Sequence, residues 1–247
     1  MNEQFLRAGM LLGEEALETL ADSHVAVFGL GGVGSWCAEA LARTGIGTLT
    51  LVDSDVYSVT NINRQSEALW KNTDRAKALV MAERLQEINP EIRLHVWDEL
   101  YNAESREKFF PTGKRQYSFV ADCIDLVSCK LDLIQTCRER KIPIISSMGT
   151  GNKQDAQLLQ VTDISKTYGD ALARVMRKEL RNRRIEHHTV VFSPEEPMEP
   201  LQIEAPPPGR RSVPGSLVWV TATAGMLLSQ HIVLSLINQK YKGDYQP

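Results

Sequence analysis

Four closely spaced glycines and one acid are placed for phosphate and ribose chemistry. Gly29-Leu30-Gly31-Gly32-Val33-Gly34 follows the apolar run Val25-Ala26-Val27-Phe28 directly. Glycines let a backbone approach a phosphate closely, and the start of a helix offers free N–H groups and a partial positive charge. Asp53 stands about 20 residues past the turn, where a carboxylate can accept from ribose hydroxyls. The glycine spacing alone also arises by chance. What gives it weight is a strand on each side, a helix between them and an acid at the end.

The flanking elements can be placed from pattern. Residues 25–28 are dense in β-branched and aromatic types, as a buried parallel strand requires. Trp36, Ala38, Ala40 and Leu41 recur at helical spacing up to Arg43, and Gly45 is the stop. Residues 48–52 read as a second strand. Upstream, 2–22 reads as a helical arm whose leucines lie on the sheet; Arg7 is its isolated charge.

Beyond Asp53, the segment SDVYSVTNINRQ is not how a simple dehydrogenase unit continues. Asn61, Asn63, Arg64 and Gln65 gather amides and a guanidinium there, and Arg is a planar fork that fits phosphate oxygens. A helix over 74–88 ends at Asn89-Pro90 and carries Lys77 near its start, either as a solvated charge or facing the glycine turn. Strands are expected over 92–97 and 117–124. A short helix over 103–110 and a turn at 111–113 lie between them. Asp125 follows the second strand at the edge where such sheets bind ligands, and Asp122 points elsewhere. A helix over 130–140, a strand over 142–147 and a loop over 148–152 come next, then a strand over 155–162. A helix over 170–184 has Arg174, Arg177, Lys178, Arg181, Arg183 and Arg184 on one face. Such a face is a solvated surface or an anion-binding one; His187 and His188 extend it. Residues 189–192 form a strand, and 195–209 a Pro-rich loop.

Composition narrows the class. A net charge of −3 over 247 residues argues against a chain coated in basic groups. The four cysteines, Cys37, Cys123, Cys129 and Cys137, form no CxxC pair, so their spacing carries no zinc signal. The polar, mixed start and the free cysteines fit a reducing, cytoplasmic setting. The apolar stretch 216–237 reads as a buried helix at a core or dimer seam rather than a membrane span, because Ser229, Gln230 and His231 sit near its centre. Fold class is therefore α/β: a doubly wound, Rossmann-like, mainly parallel sheet with helices on both faces and a C-terminal extension. The chain divides as one domain over 1–247, with a substrate-facing insert at about 155–215 bearing the basic helix and a packing helix at 216–240.

The chain resembles the ubiquitin-activating-enzyme-like superfamily, whose members adenylate carboxylates with ATP. Within it, the resemblance is to the tRNA threonylcarbamoyladenosine dehydratases. It rests on GLGGVGSWCAEALARTGIGTLTLVDSD, TNINRQ, KALVMAERLQEINP, VTDISKTYGDALARVMRKELR and GSLVWVTATAGM. The last two are absent from most of the superfamily. The resemblance implies ATP beside Gly31, Gly32 and Gly34, and ribose on Asp53. It implies phosphate contacts from Asn61, Arg64 and Lys77, and Mg²⁺ on Asp125. It makes Arg64, Lys77 and Asp125 the catalytic set and Arg7 a reach into a partner subunit's ATP site. It further implies a homodimer, a tRNA carrying threonylcarbamoyladenosine as substrate, a cysteine desulfurase or sulfur acceptor as a further partner, and room for K⁺ or Na⁺. No stable membrane insertion is expected. The basic face, with Arg210 and Arg211, is expected to grip tRNA. Two superfamily features are missing: paired CxxC zinc ligands and a cysteine in a thioester-forming context. Both absences point away from carrier-protein activation and toward direct use of an acyl-adenylate. An NAD-dependent oxidoreductase and a non-catalytic nucleotide-binding scaffold are the other readings.

Overall fold

The computed structural model describes residues 3–110, 117–201, 203 and 213–237. Seven strands share one sheet: β1 (His24–Phe28), β2 (Thr48–Val52), β3 (Arg93–Trp97), β4 (Phe119–Asp122), β5 (Ile144–Ser147), β6 (Gln160–Asp163) and β7 (Thr189–Phe192). Their order is β3-β2-β1-β4-β5-β7-β6. Every neighbouring pair is parallel except β6 with β7. The helices are α1 (Leu6–Leu12), α2 (Glu14–Asp22), α3 (Gly34–Arg43), α4 (Lys77–Ile88), α5 (Arg106–Phe109), α6 (Val127–Glu139), α7 (Ala171–Asn182) and α8 (Val218–Leu236).

Alternation along β1 explains the two layers. Val25 and Val27 face a core built with Leu41 of α3, Met81 of α4 and Leu228 of α8. Ala26 and Phe28 face the other side, against Phe109 of α5 and Leu133 of α6. Leu131 and Ile134 of α6 then meet Met176 and Leu180 of α7 in a third cluster. Helices thus cover both faces, as a parallel sheet requires.

Several boundaries differ from expectation for local reasons. The N-terminal arm is two helices, because Gly13 sits at φ +90°. Helix α4 starts at Lys77 rather than Asp74; Asp74 is at φ +63°, and Ala76 bridges to Val56. Strand β4 stops at Asp122, whose side chain accepts from the Ile124 N–H and turns the chain. Residues 156–158 form a 3₁₀ turn capped by Asp155, so β6 begins only at Gln160. The 111–113 turn lies outside the described residues.

The apolar C-terminal stretch is the single helix α8. Its length and composition would let it cross a membrane. Val220, Ala224, Leu228 and Ile232 are instead fully buried on the sheet. Gly225 lets α8 meet α3 closely: a Cβ there would stand 2.5 Å from the Val33 carbonyl oxygen and 2.9 Å from the Cys37 nitrogen.

Candidate nucleotide-binding site

Strand order reverses between β1 and β4, which is where open α/β sheets hold ligands. The glycine turn leaves β1 there, Asp53 follows the adjacent β2, and Asp125 follows β4. The turn depends on its glycines. Gly29 is at φ +88°, and a Cβ on it would lie 2.6 Å from the Cys123 carbonyl oxygen. A Cβ on Gly34 would overlap the Gly29 carbonyl. Asp53 is fixed from two sides: Leu30 N–H donates to Oδ2 at 2.6 Å and Asp55 N–H to Oδ1 at 2.8 Å. Burial raises its pKa from the ordinary carboxylate value, against the opposing pull of Lys77 and of the two N–H donors. A ribose diol can use the lone pairs that remain.

Lys77 is not a solvated helix charge. It is the first residue of α4 and only 5% exposed. Its Nζ lies 2.9 Å from Asp55 Oδ2, and its N–H donates to the Asp55 carbonyl, also at 2.9 Å. Asp55 itself is exposed. The lysine is therefore carried inside and presented at the crevice through a partner that faces solvent.

Arg64 lies across the glycine turn, where a Cβ on Gly32 would be 3.5 Å from its Cγ. Its guanidinium donates to the Thr60 carbonyl at 2.8 Å and to Asn63 Oδ1 at 3.0 Å. Burial lowers its pKa while the nearby Asp125 opposes that shift, so Arg64 and Asp125 share one electrostatic neighbourhood. Asn61 is partly committed to local structure, with Oδ1 accepting from the Ser58 N–H at 3.2 Å. Asp125 is exposed, in the loop between β4 and α6. Asp122 is fully buried and paired with Lys130 at 2.8 Å. Among the described residues no group of three His, Cys, Asp or Glu side chains converges on a metal position. One exposed carboxylate does fit Mg²⁺, which takes one or two protein carboxylates and fills its shell with phosphate oxygens and water.

Other expected residues are elsewhere. Phe5 packs beside Gly45, after the C-terminus of α3, so Arg7, in the first turn of α1, lies at the end of the sheet opposite the glycine turn. The length of α3, about 15 Å, separates it from its own chain's site. On α7, Arg174, Lys178, Arg181 and Arg184 are exposed. Arg177 is instead pinned to the Thr167 carbonyl at 2.6 Å and its hydroxyl at 2.5 Å, and Arg183 pairs with Glu179. His188 does not extend the basic face: it is buried and bonded to Ser146 Oγ at 2.7 Å. Arg210 and Arg211 lie outside the described residues. Burial pushes the Cys37 thiol up to about 12 and Cys123 well above its usual value, and raises Cys129 and Cys137 too. None supplies a thiolate at neutral pH.

Sequence reasoning passed over three groups. Asp55 supports Lys77; the Asp53-Ser54-Asp55 spacing was the available signal. Trp36 donates its indole N–H to the Arg64 carbonyl at 3.0 Å. Thr221 of α8 would lie 3.1 Å from a Cβ on Gly32. Neither Trp36 nor Thr221 differs by type from an ordinary helix residue.

Comparison with known proteins adds the following. The ThiF family model matches residues 5–246. The tRNA threonylcarbamoyladenosine dehydratase of Bacillus subtilis is 40% identical over 96% of each chain. That of Escherichia coli is 47% identical over 180 residues, 73% of this chain and 66% of that one. A crystal structure of the Escherichia coli enzyme in complex with ATP superposes with a TM-score of 0.85 at 40% identity, covering 96% of this chain and 95% of that one. The Escherichia coli sulfur carrier protein ThiS adenylyltransferase is more distant, 31% identical over 58% of this chain.

Proposed function

The chain belongs to the ThiF family, and from that premise we propose that it is an ATP-dependent enzyme that dehydrates threonylcarbamoyladenosine in tRNA. The threonyl carboxylate, beside the anticodon, attacks the α-phosphorus of ATP. A new O–P bond forms, the α–β bridge breaks, and pyrophosphate leaves. The acyl group is now a mixed anhydride with AMP. An atom of the neighbouring carbamoyl group attacks the acyl carbon, the C–O bond to AMP breaks, and a ring closes with loss of one proton. The carboxylate oxygen departs on AMP, so the nucleoside has lost water.

The observation that carries this reading is the meeting of Asp53, Lys77, Arg64 and Asp125 around one glycine turn. Asp53 takes the ribose. Gly31, Gly32 and Gly34 admit the phosphates. Arg64, with Asn61 beside it, and Lys77 neutralise charge that builds at phosphorus. Asp125 holds Mg²⁺, which when bound polarises phosphate oxygens. Ring closure is intramolecular, so positioning supplies most of the rate and no nucleophilic side chain is needed. That accords with four unreactive cysteines.

The enzyme acts as a homodimer in the cytoplasm. Arg7 is too far from its own site, and Leu6, Met10 and Leu11 stand exposed on the same helix. Delivery of Arg7 to a second copy's site accounts for both. The exposed charges of α7 hold the tRNA backbone.

The test is isotope exchange between pyrophosphate and ATP. Exchange that requires threonylcarbamoyladenosine-bearing tRNA supports the reading. Exchange driven instead by a carrier protein ending in Gly-Gly overturns it.

A further inference from the structure

Gln65 closes the loop that carries Asn61 and Arg64, and nothing above gives it work. It is 6% exposed. Its Oε1 is buried with no hydrogen-bond partner among the described residues. A buried amide oxygen left unpaired costs about 1–3 kcal/mol. An apolar side chain of the same size would fill the space without that cost.

The backbone nonetheless holds Gln65 firmly in place. Its N–H donates to the Asn61 carbonyl at 3.1 Å. On one side, the Arg64 carbonyl accepts from Trp36 Nε1 at 3.0 Å; on the other, the Ser66 N–H donates to Ser35 Oγ at 3.2 Å. Ser35 and Trp36 belong to the first turn of α3. The loop is thus stitched to the helix start on both flanks of Gln65. The amide then reaches the glycine turn, where a Cβ on Gly31 would be 3.9 Å from Nε2. The positive, N–H₂ end of the amide dipole faces the turn. That is the same sign the α3 N-terminus presents there, so two independent features favour one anion.

We infer that Gln65 is a phosphate-binding residue: its Nε2–H donates to a nucleotide phosphate oxygen seated over Gly31. The inference rests on the ATP reading above and adds a group to it.

The test is calorimetric binding of ATP and of adenosine to the full chain, with the thermal midpoint of the ligand-free protein as control. Gln65→Met keeps the volume and removes the polar atoms. Its Tm is expected to hold or rise, while ATP affinity falls about tenfold or more, the loss of one hydrogen bond to a charged group. Adenosine affinity stays at the wild-type value. Gln65→Glu keeps size and polarity but turns a carboxylate toward the phosphate, and is expected to bind ATP more weakly still. Unchanged ATP affinity in Gln65→Met overturns the inference, as does an equal fall for adenosine. If Gln65→Met does not fold, ATP affinity of Gln65→Glu at or above wild type overturns it. A wild-type chain that binds no ATP is a different failure: it removes the adenylation reading itself.

Discussion

Lys77 and Asp55 form an ion pair of which only the lysine is buried. The side chains are 7% and 69% exposed, with Nζ 2.9 Å from Oδ2. A pair open to water on one side contributes little to stability. What the arrangement does is hold a cation at the mouth of the crevice, close enough to act on Asp53. Lys77→Met is therefore expected to lower adenylation at least about a hundredfold. The thermal midpoint should move only a few degrees. Tm by calorimetry and exchange of pyrophosphate into ATP read the two effects separately. A large fall in Tm with activity per folded molecule preserved would make Lys77 structural.

Helix α8 reaches the phosphate turn through its small residues. Gly225→Ala would push a methyl group against the Val33 carbonyl and the start of α3. The expected cost is about 1–3 kcal/mol, the usual range for overpacking. Weaker ATP binding should accompany it. Met226→Ala, at the exposed neighbour, should change neither. Chemical denaturation and ATP titration of both variants check this.

The basic face of α7 divides into free and committed charges. Reversing Arg174, Lys178 and Arg181 to Glu should weaken tRNA binding. It should also flatten the dependence of log K on log salt by roughly 0.7–0.9 for each phosphate no longer neutralised. Arg177→Ala should instead lower stability, because it frees Thr167, and leave the salt slope alone. Filter binding across a salt series distinguishes the two. An unchanged slope in the triple variant would make the face merely solvated.

His188 gives the fold an acid-sensitive point. Burial, with Lys130 and Arg138 adding to it, lowers its pKa from 6.5 to about 3. The unfolded chain therefore binds the extra proton between those values. Stabilisation from the neutral ring is complete above pH 6.5 and is lost as pH falls toward 3. The ring donates to Ser146, which in turn donates to Asp122. His188→Gln keeps a donor and cannot charge. Its urea midpoint should fall less between about pH 7 and about pH 4.5 than that of the wild type. Parallel declines would place the acid sensitivity elsewhere.

The glycine turn, Asp53 and the strand–helix alternation were legible because each rests on local chemistry: left-handed φ, a helix start, period-two burial. Lys77 was ambiguous because the burial of one charge depends on where α4 docks. Arg177 and His188 were misjudged for the same reason. A cation on a helix face and a histidine beside it look solvated until Thr167 and Ser146 are brought to them by separate strands and turns. Arg7 could be assigned a role only by resemblance, since its place at the far end of the sheet follows from Phe5 packing near Gly45. Gln65 stood in view among the amides of its loop. The burial of its amide oxygen without a partner depends on where Ser35 and Trp36 of α3 dock that loop, which no local pattern encodes.

The most direct measurement is mass analysis of nucleosides from tRNA bearing threonylcarbamoyladenosine, after incubation with the purified chain, ATP and Mg²⁺. The account predicts a nucleoside lighter by one water, formed in step with equal amounts of AMP and pyrophosphate. An unchanged nucleoside, or dehydration that proceeds with ADP and phosphate as products, would contradict it.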